Sequence, residues 1–468
     1  MIKSYKVLLT SALLLAATSS CSDLLVTEPK QSVEAAVALR DITGIRSLLI
    51  SVYDRLQPAA YYGQRMMIAP EILADNVRLT SQNSNRYFNE RVNAPGAHMQ
   101  QLWDNYLGIN EANFVLSVID ASNTSDAEKA QIKGEASFLR GLLYFDMARV
   151  FAYEPKKIQN NFNLGLVLRT TPTDNIEKVT FQERSTVEQT YAQIESDLKN
   201  AITFLPASAT ASRQRATKAA AQGLLSRLYL YWEKYPESIQ AATDALASTS
   251  ARLVTGAQYA AAFTQSPNPE SVFELNYVQA TESLLANESM HSLTTNLTTG
   301  GWADVVPTTE LFNLYEAADV RKAVFYAATK SGEAVNFSRK YTAARGAFTD
   351  NIPVMRYSEL LLIRAEAYAA TGDNAKALAD LNALRTRAGA TPIAATVTGQ
   401  ALIDAILTER RLELVLEGHR FFDLKRRGLT ITKAGLSAVV PANDFRILAA
   451  LPNAQVQLNP KLKQNPGY

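Results

Sequence analysis

Apolar residues return every three or four positions through most of this chain, which commits it to helices that each bury one face. Ile45, Leu48, Leu49, Val52 and Leu56 form one such stripe. Leu102, Tyr106, Ile109, Phe114 and Val118 form a second, with Asn110 and Asn113 among its polar positions. Ala136, Leu139, Leu143, Met147, Val150 and Phe151 form a third within 135–151. Strand-type alternation is confined to short stretches, best at 164–168 and 271–278. The fold class is therefore mainly α with a few short strands.

Two stretches go further and read as helix–turn–helix units with tetratricopeptide-like spacing. In 360–388 the pattern rests on Ala365, Tyr368, Gly372, Ala377, Leu381 and Leu384. The small side chains of Ala365 and Ala377 let two antiparallel helices approach closely, and Gly372-Asp373 makes the turn between them. In 219–247 Ser226, Tyr229, Tyr235, Ile239, Ala242 and Ala245 stand at related offsets, and Pro236 opens the second helix. Helix pairs of this kind stack, burying one face and presenting another.

The chain has a single cysteine, Cys21, so neither an intramolecular disulfide nor a cysteine metal cluster is open to it. Lys3 and Lys6 precede the apolar run Val7–Ala17, and small residues follow up to Ser20. That order is an export signal, and the run is too short to span a bilayer. With the thiol directly after it, 1–20 reads as a lipoprotein signal, Cys21 as the lipidated N-terminus and 21–30 as a polar tether. Thr18 stands where leucine is usual, and plain secretion with an incidental cysteine is the alternative. The remainder, 31–468, reads as a single helical domain. Lys and Arg number 47 against 45 Asp and Glu, and no segment concentrates the excess, so a nucleic-acid partner is not expected.

The segment Gly134-Glu135-Ala136-Ser137-Phe138-Leu139-Arg140-Gly141-Leu142-Leu143-Tyr144-Phe145 resembles a signature of the SusD/RagB family of nutrient-uptake lipoproteins. So does 409–428, from Glu409 through Gly418-His419-Arg420-Phe421-Phe422-Asp423 to Gly428. Further echoes follow in the family's order: Trp103-Asp104-Asn105-Tyr106, Arg184-Ser185-Thr186-Val187, Asp319-Val320-Arg321 and the ending Asn459–Tyr468. The resemblance implies a SusD-like fold of tetratricopeptide-like helix pairs, lipid-anchored on the outer face of a Gram-negative outer membrane. It also implies a partner, a SusC-like TonB-dependent barrel transporter. Members capture an oligosaccharide, or in some cases a peptide, and deliver it to that barrel without catalysis and without a cofactor.

Chemistry read directly from the residues agrees. On a helix, Arg410, Glu413, Glu417 and Arg420 would line one side, with Asp423 reaching Arg426 and Arg427. A hydrolase would use Glu413 and Glu417 as acid and base. Flanking arginines hold both ionised, however, and that suits a structural ion network better than a general acid. His98, His291 and His419 are scattered and lack metal-ligand spacing, and neither a Gly-x-Ser-x-Gly elbow nor a phosphate-binding glycine loop is present. A lipid-anchored all-α glycoside hydrolase and a pure protein-interaction scaffold remain the alternatives to a binding protein.

Binding needs only a shaped surface. Sugar rings stack their C–H faces on aromatic side chains and exchange hydrogen bonds with amides, carboxylates and guanidiniums. Aromatic residues in or next to the polar loops 80–97 and 279–301 are therefore the candidates: Tyr87 and Phe88 in the first, and Trp302 directly after the second, near Asp304. Tyr61 and Tyr62, before Gly63, form a further pair, and Asn76 beside Asp75 could supply amide contacts. Trp103 and Trp232 have apolar helical neighbours and read as core.

Overall fold

The computed structural model describes residues 39, 41–96, 99–175, 179–207, 212–278, 282, 288–295, 302–347, 349–433, 435–436 and 439–468. The signal 1–20, Cys21, the tether 21–30, His98 and most of 279–301 lie outside the described residues. Eleven α-helices of seven residues or more run through the described residues. They are α1 (Ile42–Asp54), α2 (Arg65–Leu73), α3 (Asn105–Val118), α4 (Asp126–Phe151), α5 (Val187–Phe204) and α6 (Lys218–Tyr231). Then come α7 (Tyr235–Ser248), α8 (Tyr357–Ala370), α9 (Asn374–Ala388), α10 (Gly399–Glu413) and α11 (Arg420–Arg426). The strands are β1 (Val77–Leu79), β2 (Ser271–Leu275), β3 (Val305–Pro307), β4 (Phe325–Lys330), β5 (Glu333–Ser338), β6 (Ile352–Arg356), β7 (Ile431–Thr432) and β8 (Val439–Val440). They form four two-stranded antiparallel sheets, β1 with β3, β2 with β6, β4 with β5 and β7 with β8.

Local chemistry sets the helix ends. Asp41, Ser125 and Thr217 cap α1, α4 and α6 by accepting backbone N–H bonds in the first turn. Thr186 and Gln189 form a reciprocal capping box at the start of α5. Gly389, at φ 71°, stops α9 in the left-handed conformation. The two repeat units take the expected form: 219–247 is the pair α6–α7 and 360–388 the pair α8–α9. Ala365 and Ala377 are completely buried, where they let α8 and α9 meet closely. Neighbours then pack in a row, α1 on α3, α3 on α4, and so on through α8, which holds both α9 and α10. Each helix buries its stripe against the next, so stability spreads along the row.

Three local expectations change. Residues 164–168 are extended but make no strand. Gly165 and Leu166 share backbone bonds with the single residue Ser185 and otherwise meet the side chains of Arg184 and Thr190, while the hydroxyls of Tyr106 and Tyr144 serve the backbone of Val167 and Arg169. The second stripe begins as a 3-10 helix, Gln100–Asp104, before α3 takes over. The segment 409–428 is not one helix. α10 ends at Glu413, Leu416 and Gly418 turn with φ of 65° and 76°, and α11 starts at Arg420. A Cβ on Gly418 would sit 2.2 Å from the Met66 carbonyl oxygen, so glycine is required there both for the turn and for the approach of α2.

That break builds the buried charge cluster. Arg356 reaches Glu270 at 2.7 Å, Glu413 at 3.0 Å and Glu417 at 2.8 Å. Glu413 also meets Arg321 and Arg387, and Glu417 meets Lys340. Burial alone would push the Glu413 carboxyl up, but Arg387, Arg356 and Arg321 together outweigh it and hold the group well below the usual carboxylate range. Glu417 is held low by Arg356 and Lys340 against the same burial. Asp423 bonds Arg410 and Arg426, whereas Arg427 turns to Glu366 instead. These carboxylates tie helices together from the interior, and none of them is poised to give up a proton.

Candidate functional site

The antiparallel register of β1 and β3 creates the site. Val77 lies opposite Pro307 and Leu79 opposite Val305, so the chain leaving β1 and the chain entering β3 emerge at one end. Thr80 N–H donates to the Asp304 carbonyl at 2.8 Å, which fixes the loop after β1 beside Trp302-Ala303-Asp304. The β4–β5 hairpin turns at Ser331 and Gly332, with φ of 50° and 85°. Its tip delivers Lys330, whose Nζ lies 2.7 Å from the Trp302 carbonyl, 2.9 Å from that of Ala303 and 3.2 Å from Asp304 Oδ1. Ser84 N–H and hydroxyl both donate to Asp304 Oδ2. One buried carboxylate and one lysine thus lock two distant segments together.

On this frame the loop presents Arg86, Tyr87 and Phe88. The Arg86 guanidinium lies over the half-buried Trp302 ring at 3.8 Å and is paired with Glu288. Glu288 also accepts from Gln64 at 3.1 Å, and Gln64 in turn accepts from the Tyr87 hydroxyl at 2.8 Å. Tyr87 is buried, with Arg65 above its ring at 5.0 Å, and burial pushes its hydroxyl pKa up so that it stays a neutral donor. Phe88 is 49% exposed. Asn85, Tyr87, Phe88, Asn89 and Glu90 line an open recess of about 400 Å³.

Three non-glycine residues in this neighbourhood hold left-handed backbone: Asn85 at φ 60°, Tyr87 at 59° and Ala303 at 52°. Such conformations cost on the order of 1 kcal/mol each and persist where surrounding contacts impose them. The frame made by Lys330 and Asp304 supplies those contacts. The result is a rigid platform with an exposed aromatic ring, two exposed amides and a guanidinium beside a half-buried indole. It is suited to holding a polar oligomer by stacking and hydrogen bonding.

Of the residues read from the sequence, the structure brings Trp302, Tyr87 and Phe88 together and leaves the others apart. Tyr61 and Tyr62 are buried, and both hydroxyls donate to Asp146 Oδ2, at 2.5 and 2.7 Å. Asn76 is buried too, donating to Glu71 at 2.8 Å and accepting from Arg411 at 2.7 Å. These three organise the interior and do not line the recess. Trp103 is buried as expected, and Trp232 is partly buried under Lys234. Sequence reasoning missed Arg86, Glu288 and Lys330. Arg86 stands next to Tyr87 in the chain, but no sequence signal links Glu288 or Lys330 to this loop.

Comparison with known proteins agrees with this architecture. Residues 27–230 match a family model described as starch-binding and associating with the outer membrane, and 332–468 match the model of the SusD family. SusD-like protein P2 of Formosa agariphila is 24% identical over the full length of both chains. The starch-binding protein SusD of Bacteroides thetaiotaomicron is 35% identical over 125 residues, which are 25% of this chain and 22% of that protein. Among solved structures, a SusD superfamily protein from Bacteroides thetaiotaomicron superposes with a TM-score of 0.81 at 27% identity, covering 91% of this chain and 100% of that one. A SusD-like carbohydrate-binding protein from Bacteroides vulgatus shares the fold, with a TM-score of 0.81 at 24% identity over 90% of this chain and 97% of that one. A row of capped helix pairs, a charge cluster built from 409–428 and two family models that together span most of the chain lead to one assignment: the protein belongs to the SusD/RagB family.

Proposed function

We propose that the protein is an outer-membrane lipoprotein, acylated at Cys21, that captures an oligosaccharide and delivers it to a SusC-like TonB-dependent transporter without breaking a bond. The observation that carries this reading is the braced cluster of Phe88, Tyr87, Arg86 and Trp302 beside an open recess of about 400 Å³. Affinity comes from C–H faces packed on Phe88 and Trp302, with Asn85, Asn89 and Arg86 meeting the hydroxyls. Two further observations support non-catalytic binding: the charged motif of 409–428 is spent on interior pairs, and the model matched at 27–230 is described as starch-binding. Among the described residues no helix is long and apolar enough to cross a membrane, which is compatible with attachment through lipid at Cys21.

Isothermal titration against panels of neutral oligosaccharides and peptides tests the binding step. A saccharide ligand is expected, with affinity reduced tenfold or more by Trp302→Ala and by Phe88→Ala. Unchanged affinity in both variants would remove the cluster from the site, and a peptide ligand alone would replace the saccharide reading. New reducing ends after incubation would show a hydrolase instead. Incorporation of labelled palmitate, lost in Cys21→Ser, tests the anchor.

A further inference from the structure

On the other side of the same loop lies a second cleft of about 390 Å³, walled by β1, the end of α2, Thr80, Asn83, Arg91 and Lys433. Its volume falls within the roughly 300–1,000 Å³ range of small-molecule sites. Its charges do not cancel. The two carboxylates on its wall are already engaged: Asp75 pairs with Arg420 at 2.6 Å and with Arg411 at 3.3 Å, and Glu333 pairs with Arg78 at 2.5 Å. Arg91 and Lys433 have no carboxylate within ion-pair distance among the described residues. Lys433 Nζ donates only to two backbone carbonyls, those of Glu90 at 2.9 Å and Arg91 at 2.8 Å, so one of its three protons is left over. The Arg91 guanidinium lies 6.0 Å from the Phe88 ring centroid, so one residue borders both cleft and recess. Leu79, Val77 and Ile72 supply an apolar floor.

We infer that this cleft is an anion subsite, in which Lys433 and Arg91 take the carboxylate of an acidic oligosaccharide whose neighbouring sugar rests on Phe88. The inference depends on the oligosaccharide reading above and adds to it the charge class of the ligand. A neutral sugar would leave both cations uncompensated, whereas a uronate matches them and still offers a ring face to the aromatic residue. The ammonium group is also sensitive to its surroundings. Burial pushes the Lys433 pKa down to about 7; Glu90 and Asp75 pull it up, while Arg446 and Arg91 push it lower. An arriving carboxylate favours the protonated form, so binding draws a proton onto Lys433. Affinity is then full below pH 7 and declines as pH rises above it, by up to about tenfold per pH unit.

The test titrates the detergent-solubilised full-length protein with tetragalacturonate, its fully methyl-esterified form, a panel of neutral oligosaccharides and tetraglutamate, at pH 6 and pH 8.5. The acid is expected to bind at least tenfold more tightly than its ester at pH 6, with most of that advantage gone at pH 8.5. Lys433→Met should remove most of the advantage by lowering the acid's affinity toward that of the ester. Arg91→Gln, on a half-exposed side chain, gives the same comparison should the lysine variant fail to fold. Equal affinities for acid and ester overturn the anion subsite, and binding of ester or neutral glycans then leaves the oligosaccharide reading standing. Binding of no saccharide at all overturns both. Tightest binding to tetraglutamate reassigns the cleft to peptide carboxylates and overturns the saccharide assignment.

Discussion

Replacing Arg356 with methionine probes the interior charge cluster where it is most concentrated. Its guanidinium donates to Glu417 through Nε and Nη2, to Glu270 and Glu413 through Nη1, and to the Glu413 carbonyl through Nη2, all between 2.7 and 3.0 Å. Methionine keeps the stem and removes every one of those bonds. Breaking a buried ion pair by deleting one partner costs about 3–5 kcal/mol, because the other charge stays buried. Here each carboxylate keeps a second cation: Lys340 for Glu417, Arg387 for Glu270, and Arg321 with Arg387 for Glu413. The low end, about 3 kcal/mol, is therefore expected, a large share of the ~5–15 kcal/mol that holds a typical domain folded. Urea unfolding followed by tryptophan fluorescence at pH 7 reads it, with Arg46→Met as control. Arg46 pairs with Glu128 at the surface, and its loss should cost no more than about 1 kcal/mol. The gap should also depend on pH. Glu417 is depressed from 4.5 in the folded protein, so its contribution is present above that value and is lost as pH falls through the folded value. The difference between wild type and variant should therefore narrow in acid. A loss below about 1 kcal/mol at pH 7, or a gap that widens in acid, would refute the reasoning.

The same interior yields three further expectations. Burial foremost pushes the His419 pKa from 6.5 down to about 4, with Glu359 opposing and Arg227 and Arg410 assisting. The neutral imidazole therefore stabilises the fold above pH 6.5, and that contribution, about 3 kcal/mol, drains away between pH 6.5 and 4. His419→Gln should remove that slope from a stability–pH profile. Tyr61→Phe and Tyr62→Phe each take one hydroxyl from Asp146 and should cost about 1.5–3 kcal/mol while leaving ligand affinity unchanged. Altered affinity in either would return these residues to the binding surface. Gly418→Ala meets both a left-handed backbone and the Met66 carbonyl and should lower the melting temperature far more than Gly372→Ala, where nothing lies within 4 Å of the new methyl.

Helical periodicity exposed the row of helices because each stripe reports burial against a neighbour. Ile45, Leu49 and Val52 are buried as their spacing requires, and the alanines of the two repeat units are sealed between helices. Periodicity failed where side chains rather than strands satisfy the backbone, as at 164–168, and where a left-handed turn interrupts an otherwise helical pattern, as at 414–419. The aromatic candidates were harder to separate. A tyrosine in a polar stretch looks the same whether it faces solvent or a buried carboxylate. Tyr61 and Tyr62 face Asp146, 84 or more positions away, and nothing local announces it. Tyr87, Phe88 and Trp302 converge only because β1 and β3 pair across more than two hundred residues. The unpaired cations of the second cleft are equally silent in the sequence, since a surplus charge is visible only after every partner has been placed.

The distribution of charge in this protein separates holding the fold from meeting a ligand. Glu270, Glu413 and Glu417 each face two or more cations, and with the Arg410–Asp423 pair they make fixed hydrogen bonds that pin α10, α11 and β6 into one body. At the end of β1 the arrangement is different. Asp304 and Lys330 are consumed in holding the left-handed loop, which leaves Phe88, Asn85 and Asn89 exposed on a surface that cannot easily collapse onto itself. A platform already held in its bound shape loses little conformational entropy when a ligand arrives, so modest contacts suffice for useful affinity. That economy suits the proposed capture and release of an oligomer, because affinity built from a few stacked rings and hydrogen bonds can be exchanged for contacts elsewhere.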